Sequence, residues 1–353
     1  MKATSLLLFV LLLSFGCNND EASPRDSNSD WLIPQNLVFD GGPGKDGIPA
    51  ITDPDMKPIG DAGLSYLDDD DLLVVYKSGN DVRAYSQRVM DWHEIINDKI
   101  GDDNVAITYC PLTGTAIGWG REIKGEVTTF GVSGLLYETN LMPYDRLTDS
   151  YWNQMENICV NGKLIGEEPE FFSVVQMNFA AVKTLLPNAL VNTTNTGFSR
   201  NYARYPYGSY KDVTNSSTLF PISNTDTRLD PKEVLRGVII NDEAVVYQFP
   251  ATGREIMTDN IGGNEIVVVA DRSNDMIVSF LSKTINATVL EFTLVTDDSS
   301  SIIMEDQLGN KWDVFGTALE GPNVGEQLEV PYSYMGYWFS FPVFFPDIRI
   351  FGK

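Results

Sequence analysis

The chain has 353 residues, 43% of them apolar, and is therefore long enough to bury the core of one large domain or two ordinary ones. Its formal net charge of −24 creates a surface that repels nucleic-acid phosphates and anionic lipid headgroups. This charge argues against a nucleic-acid partner and against membrane binding through basic residues.

The first 17 residues have the pattern of a lipoprotein signal peptide. Lys2 supplies the positive charge, an apolar run follows over 6–13, and the segment 14–17 (SFGC) resembles a bacterial lipobox. The apolar run is too short to span a bilayer, and Ser14 stands where a lipobox usually has leucine. Ordinary secretory cleavage is the alternative. We expect residues 1–17 to be a lipoprotein signal peptide with Cys17 as the lipidated residue.

Residues 18–35 are predicted to be a flexible polar tether, because they are rich in Asn, Asp and Ser. The acidic residues directly after Cys17 resemble the surface-export signals of bacterial lipoproteins. We therefore expect an outer-membrane lipoprotein of the bacterial cell envelope, displayed at the surface and touching the membrane through its lipid anchor only.

Lipidation of Cys17 would leave two other cysteines, Cys110 and Cys159. In an oxidising envelope these two residues can form one disulfide. They can equally be two unrelated buried thiols, and the sequence leaves both interpretations open.

Short strands dominate the predicted secondary structure. Runs of β-branched and aromatic residues, separated by Gly, Asn and Asp, predict strands over 72–76, 105–109, 115–119, 127–132 and 244–249. A short helix is predicted over 179–186. The aromatic segment from Tyr334 to Phe351 is interrupted by Pro342 and Pro346, and we predict a core element there rather than a membrane segment.

The clearest predicted helix runs from Arg88 to Ile100. At about 100° per residue, one apolar stripe contains Val89, Trp92, His93, Ile96 and Ile100. The opposite face contains Asp91, Glu94 and Asp98. His93, the only histidine of the chain, therefore faces the interior. It is either a core histidine whose nitrogens bond one carbonyl and one hydroxyl, or a functional imidazole.

Two halves of the chain can be aligned with each other at an offset of roughly 160 residues. The matching segments are 81–85 with 243–247, 98–101 with 259–262, 104–107 with 265–268, and 147–152 with 307–312. The alignment predicts an α+β, strand-rich fold of two tandem degenerate β-rich repeats, 36–235 and 236–353, packed as one unit with few short helices. Asp271 aligns near Cys110, and the helix that carries His93 is shortened in the second repeat. Any chemistry is therefore expected in the first repeat.

Cys110 is the residue best suited to chemistry. It ends a predicted strand, and Pro111 halts that strand at a junction where functional side chains often lie. If His93 lies close to the thiol, it can lower the thiol pKa and create a nucleophilic thiolate. Tyr109 and Thr113 are the neighbouring candidates for ligand binding. The same pair would also suit Cu(I), although two soft ligands do not complete a metal site.

Two further groups of polar residues are candidates for ligand binding. Asp145 and Arg146 could form a clamp for a carboxylate or phosphate, or they could be an ion pair that closes a hairpin. Arg200 and Tyr202 belong to a segment rich in Arg and Tyr. That segment either lines a cleft for an anionic or sugar ligand or forms a solvated loop.

Five motifs resemble, in the same order, motifs of the bacterial and archaeal DUF3179 family. They lie at 41–50 (GGPGKDGIPA), 92–98 (WHEIIND), 108–116 (TYCPLTGTA), 130–137 with 144–146 (FGVSGLLY and YDR), and 206–210 (PYGSY). The resemblance runs from about residue 40 to about residue 240 and is weaker beyond. It implies a secreted or anchored protein without an assigned activity. Many members have a second cysteine where this chain has Thr113, so a paired-cysteine redox motif is excluded and a single-thiol role remains.

Three functional hypotheses follow. The first is an envelope-anchored thiol-dependent enzyme or redox protein that uses Cys110, with His93 as its base or orienting partner. The second is a binding module for copper or for an envelope glycan or peptide. The third is a purely structural lipoprotein whose core contains both groups.

Overall fold

The computed structural model describes residues 30–283, 288–297 and 299–353. The predicted signal peptide, Cys17 and most of the predicted tether lie outside these residues. Within the described part of the chain, no helix is long and apolar enough to cross a membrane.

Most of the described chain is β-strand, with few and short helices, as the sequence predicts. The strands before residue 200 are β1 (Val38–Asp40), β2 (Ile51–Thr52), β3 (Met56–Pro58), β4 (Leu72–Ser78), β5 (Asp81–Ser86), β6 (Ile95–Ile100), β7 (Asp103–Cys110), β8 (Thr115–Gly120), β9 (Glu122–Ile123), β10 (Glu126–Val127), β11 (Phe130–Tyr137), β12 (Asn140–Asp145), β13 (Tyr151–Asn153), β14 (Ile158–Asn161), β15 (Phe171–Phe172), β16 (Val175–Asn178) and β17 (Leu190–Asn192). The later strands are β18 (Val234–Ile240), β19 (Glu243–Gln248), β20 (Arg254–Ile261), β21 (Asn264–Asp271), β22 (Met276–Leu281), β23 (Phe292–Leu294), β24 (Ile302–Asp306), β25 (Lys311–Asp313), β26 (Ala318–Glu320), β27 (Tyr332–Tyr337) and β28 (Arg349–Ile350). The α-helices are α1 (Gln87–His93), α2 (Phe179–Leu185) and α3 (Phe341–Phe344), and short 3-10 turns cover Gln35–Leu37, Ala62–Leu64 and Trp338–Ser340.

Hydrogen bonds join these strands into separate sheets. In the first half the larger sheets have the strand orders β1-β11-β12-β13-β14, β15-β8-β7-β6-β2 and β16-β4-β5-β17-β3. In the second half the orders are β27-β18-β19-β28, β20-β21-β22 and β23-β24-β25-β26. In each half a hairpin (β4–β5 or β18–β19) is followed by three consecutive antiparallel strands (β6–β8 or β20–β22), and a later strand (β16 or β27) pairs with the hairpin.

The predicted helix over 88–100 is only half present. Helix α1 is capped by the hydroxyl of Ser86 and ends at His93. The chain turns at Glu94, which has a φ of +59°, and residues from Ile95 onward form β6, with Ile95 opposite Thr108 of β7. The β-branched residues of this segment favour a strand, and burial of both its faces hides the alternation that would have indicated one. The predicted strand over 127–132 is also interrupted, because β10 ends at Val127.

Helix α2 confirms the helix predicted over 179–186. Its first turn is capped by Asn178, whose side chain accepts a hydrogen bond from the Ala181 amide at 2.9 Å. The aromatic C-terminal segment is buried core, as predicted, because both Trp338 and Phe341 are fully buried. Its prolines lie in α3 and directly after it.

The two halves share their hydrophobic cores. One core combines Val175 and Met177 of β16 with Val278 and Phe280 of β22. Two backbone hydrogen bonds also join the two halves, from Asn178 N–H to Asn274 O at 3.0 Å and from Tyr337 N–H to Thr113 O at 2.7 Å. Strand β16, which pairs with the first hairpin, therefore contacts the turn between β21 and β22 in the second half. Strand β27, which pairs with the second hairpin, contacts the turn between β7 and β8 in the first half.

The same side-chain hydrogen bonds recur in both halves. Donors and acceptors are Tyr85 to Asp98 (2.7 Å), Tyr247 to Asp259 (2.7 Å), Trp152 to Asp145 (3.0 Å) and Trp312 to Asp306 (3.0 Å). In addition, β17 lies parallel to β5, and β28 lies parallel to β19. These matches are what a duplication predicts, and descent of both halves from one unit stays a prediction.

Candidate functional site

A cavity of about 350 Å³ opens at the end of β7. Its wall is mainly apolar, and its polar lining residues include Asp91, Glu94 and Cys110. The glycine-rich loop after β1, the end of α1, strand β11 and the segment around Tyr207 supply the wall. Pockets of this size and composition are typical of small-molecule sites.

The glycine-rich loop is held tightly on β11. Gly41 N–H donates to Gly134 O at 2.8 Å, and Asp46 N–H donates to Val132 O at 2.8 Å. Gly134 has a φ of +81°, and a Cβ there would lie 2.8 Å from the backbone of Gly44. Only glycine permits this approach, so this part of the cavity wall depends on it.

Glu94 is held in the turn between α1 and β6. Its amide donates to Met90 O at 2.7 Å, and its carbonyl accepts from Tyr109 N–H at 2.7 Å. The positive φ is strained for glutamate, and such strain is concentrated at functional sites. Burial raises the pKa of the Glu94 carboxyl to about 8, a hydrogen bond with Tyr207 opposes this rise, and Asp91 adds to it. The carboxyl is therefore mainly protonated at neutral pH.

Asp91 is a second buried carboxyl at the same cavity. It is 6% exposed, and in the described part of the molecule its Oδ1 has no hydrogen-bond partner. Burial raises the pKa of Asp91 to about 7, and the positive charge of Lys211 partly opposes this rise. A buried acceptor without a partner destabilises the folded protein unless a ligand or a water molecule donates a hydrogen bond to it.

Cys110 faces the cavity as a neutral thiol. It is 1% exposed, and its Sγ lies 3.8 Å from Thr139 O. Burial raises the pKa of the thiol to about 11, and the Glu94 carboxyl adds to the rise. Cys110 and Cys159 are both free. Of the two interpretations left open by the sequence, the structure has two separate buried thiols.

Both ring nitrogens of His93 have hydrogen-bond partners other than Cys110. Its Nδ1 lies 2.7 Å from Pro49 O, and its Nε2 lies 2.8 Å from the Tyr202 hydroxyl. Because a carbonyl oxygen only accepts, Nδ1 carries the proton and Nε2 accepts from Tyr202. Burial lowers the pKa of His93, so the ring is neutral. Both nitrogens are occupied, and the expected thiol–imidazole pair is replaced by a core histidine bonded to one carbonyl and one hydroxyl.

The candidate ligands near Cys110 have structural partners. The Tyr109 hydroxyl donates to Gln87 at 3.3 Å. Thr113 lies in a buried hydrogen-bond network with Thr115 at 2.8 Å and Asn140 at 2.9 Å. Across the described residues, no group of three or more His, Cys, Asp or Glu side chains is placed to hold a metal ion.

Asp145 and Arg146 point to different partners, and neither the expected clamp nor the hairpin ion pair is formed. Asp145 is buried and accepts hydrogen bonds from Thr148 and Trp152. Arg146 donates to Asp46 of the glycine-rich loop at 2.6 Å. Arg146 therefore helps to fix the loop that forms the cavity wall.

Of the predicted Arg/Tyr-rich segment, Arg200 lines the cavity and Tyr202 is bonded to His93. Tyr207, which belongs to the same Arg/Tyr-rich segment, also lines the cavity, whereas the sequence interpretation missed Asp91 and Glu94 as site residues. Asp91 and Glu94 were assigned to the face opposite the apolar stripe, but both are buried. Glu94 lies within the 92–98 motif and Asp91 lies directly before it, and this position was the sequence signal that could have identified them as site residues.

The profile of a family described as "Protein of unknown function (DUF3179)" matches residues 45–348. The match includes the region beyond residue 240, where the five motifs do not reach. No curated protein and no solved structure matches the chain.

Proposed function

The chain belongs to the DUF3179 family, and from this premise we propose that it is an envelope lipoprotein that binds a small neutral ligand in the cavity beside Cys110. The ligand has an apolar body and carries hydroxyl or amide groups. The observation that carries this proposal is the pair of buried carboxyls of Asp91 and Glu94 in a mainly apolar cavity. Among the described residues Asp91 Oδ1 has no hydrogen-bond partner, and Glu94 is mainly protonated at neutral pH.

The chemistry of the wall supports a neutral ligand. A protonated carboxyl both donates and accepts a hydrogen bond, which suits hydroxyl and amide groups. A cationic ligand is disfavoured, because Arg200 lines the cavity and the charge of Lys211 acts on Asp91. Trp92 and Tyr207 add aromatic surface, on which the apolar face of a sugar ring can pack. These features favour an N-acetylated sugar of an envelope glycan.

Calorimetric titration with N,N′-diacetylchitobiose tests this proposal. We expect binding at pH 6 and loss of at least about tenfold in affinity at pH 9.5, because Glu94 and Asp91 are then ionised. A Glu94→Gln variant should recover part of the affinity at pH 9.5, because Asp91 still ionises, while the exposed control Glu126→Gln behaves like the wild type. No binding at either pH, or binding that is independent of pH, would contradict the proposal.

A thiol-dependent enzyme is the second candidate, because Cys110 lines the same cavity. A Cys110→Ser variant separates the two functions. A binding protein keeps its affinity for the disaccharide in this variant, whereas an enzyme loses turnover of its substrate. The raised pKa of the thiol favours binding.

Membrane attachment through Cys17 is a separate part of the proposal. It rests on the signal-peptide pattern of residues 1–17 and on the acidic residues that follow. Metabolic labelling with an alkyne fatty acid should mark the wild type and fail with Cys17→Ser. Retention of the variant in the outer-membrane fraction would contradict lipid anchoring.

A further inference from the structure

Arg236 of β18 is a buried cation whose hydrogen-bond acceptors in the described part of the chain are all neutral. It is 2% exposed, and its guanidinium donates to Ser279 Oγ at 2.8 Å, Ile277 O at 3.1 Å and Ser333 Oγ at 2.7 Å. These acceptors are neutral and use three of its five donors. Among the described residues, no carboxylate forms an ion pair with it. Burial alone lowers the pKa of Arg236 to about 9.

The fold itself does not require a cation at this position. Arg236 pairs with Tyr247 across the β18–β19 hairpin, and Val74 pairs with Tyr85 at the matching place of the β4–β5 hairpin. Val74 is fully buried and packs in an apolar core. An aliphatic residue thus fills this position in one half, whereas the other half buries a charge, which is costly for a fold when unpaired.

Arg236 lines a second cavity, of about 530 Å³, between the two halves. Its apolar wall includes Phe172, Phe280 and Phe315. The other charged lining residues are Lys77, which is 3.0 Å from Asp313, and the exposed Glu329. Among the described residues of this wall, Arg236 is therefore the one buried charge without an ion-pair partner, since Glu329 is exposed and Lys77 pairs with Asp313.

We propose that this cavity binds a small carboxylate with an apolar or aromatic body, and that Arg236 pairs with the carboxylate. The planar guanidinium matches a carboxylate with two parallel hydrogen bonds. The phenylalanines receive the body of the ligand. The two serines and the Ile277 carbonyl hold the guanidinium in place before the ligand arrives, which reduces the entropy lost on binding.

Calorimetric titration of the full protein with 4-phenylbutyrate and with its neutral amide tests the proposal. We expect the acid to bind about 10-fold or more tightly than the amide, because a charge-assisted pair is lost with the amide. Arg236→Met should bind the acid and the amide with about equal affinity, and Arg236→Lys should keep part of the preference for the acid. Glu329→Gln should strengthen binding of the acid, because it removes a negative charge from the cavity wall.

Equal affinity of the wild type for acid and amide would overturn the proposal, and this result does not depend on whether Arg236→Met folds. An acid preference that survives in Arg236→Met would also overturn it. Binding of the acid in the cavity beside Cys110 would be weakened by Arg200→Gln and not by Arg236→Met, and that outcome counts against the proposal as well.

Discussion

Replacing Glu94 with Gln should stabilise the protein, and the gain should grow with pH. The ordinary pKa of this carboxyl is 4.5, and burial raises it to about 8 in the folded protein. Below pH 4.5 the group is protonated in both states and does not oppose folding. As the pH rises from 4.5 to about 8, the unfolded chain releases its proton and the folded protein does not, so stability is lost over that window.

The magnitude follows from the pKa difference at about 1.36 kcal/mol per pH unit. At pH 7 ionisation of Glu94 in the unfolded chain lowers the free energy of unfolding by about 3 kcal/mol. Above pH 8 this loss reaches about 5 kcal/mol. Gln has the shape of the protonated acid and does not ionise. We therefore expect Glu94→Gln to be nearly neutral at pH 4.5 and stabilising by about 3 kcal/mol at pH 7.

Urea unfolding followed by tryptophan fluorescence at several pH values measures this effect. The exposed Glu126→Gln variant is the control and should change stability little at every pH. A gain that is the same at pH 4.5 and pH 8 would refute a raised pKa as its cause. A loss of stability at pH 8 would refute the assignment of a buried neutral carboxyl.

Three further predictions concern other parts of the molecule. Iodoacetamide should label native Cys110 at pH 7.5 roughly 100-fold more slowly than an unfolded control, because burial raises the pKa of the thiol. Mass spectrometry measures the labelling rate, and fast labelling of the native protein would contradict this prediction. Trp152→Phe should cost about 1–3 kcal/mol in urea unfolding, because it leaves the buried Asp145 without one donor, and an unchanged midpoint would show that this hydrogen bond contributes nothing. Gly237→Ala should destabilise by about 1–3 kcal/mol or more, because its Cβ would lie 2.2 Å from Phe341; a neutral result in thermal unfolding would mean that the ring moves freely.

The sequence could predict the strands and the C-terminal core, because β-branched and aromatic runs indicate them locally. The segment from Ile95 to Ile100 shows the limit of this reasoning. Its apolar spacing also fits a helix, and the choice depends on pairing with β7. Asp98 was assigned to the polar face, yet it is buried because Arg83 and Tyr85 bind its carboxylate. Such partners on another strand are not visible in a local pattern.

The sequence could indicate one wall residue of the candidate site, Cys110, but not the hydrogen-bond partners of the residues around it. Cys110 lies in the cavity wall, as its position at a strand end suggested. His93 is close in sequence, but its hydrogen-bond partners are 44 and 109 residues away. A neighbour in sequence is therefore a poor guide to a neighbour in space after a turn such as the one at Glu94.

The buried Glu94 and Arg236 both reduce stability, which argues that they are present for a reason other than folding. Asp271 aligns near Cys110, and it is paired with Arg254 at 2.6 Å, so the second half neutralises its buried acid. In the first half Glu94 is buried and forms no ion pair with any described residue. The second half buries Arg236, which also has no ion-pair partner in the described part of the chain, where the first half has Val74. The framework therefore accepts an aliphatic residue at the position where the second half buries a cation. Because the same framework accepts both, the stability lost at Glu94 and Arg236 is the physical basis for assigning a ligand to each cavity.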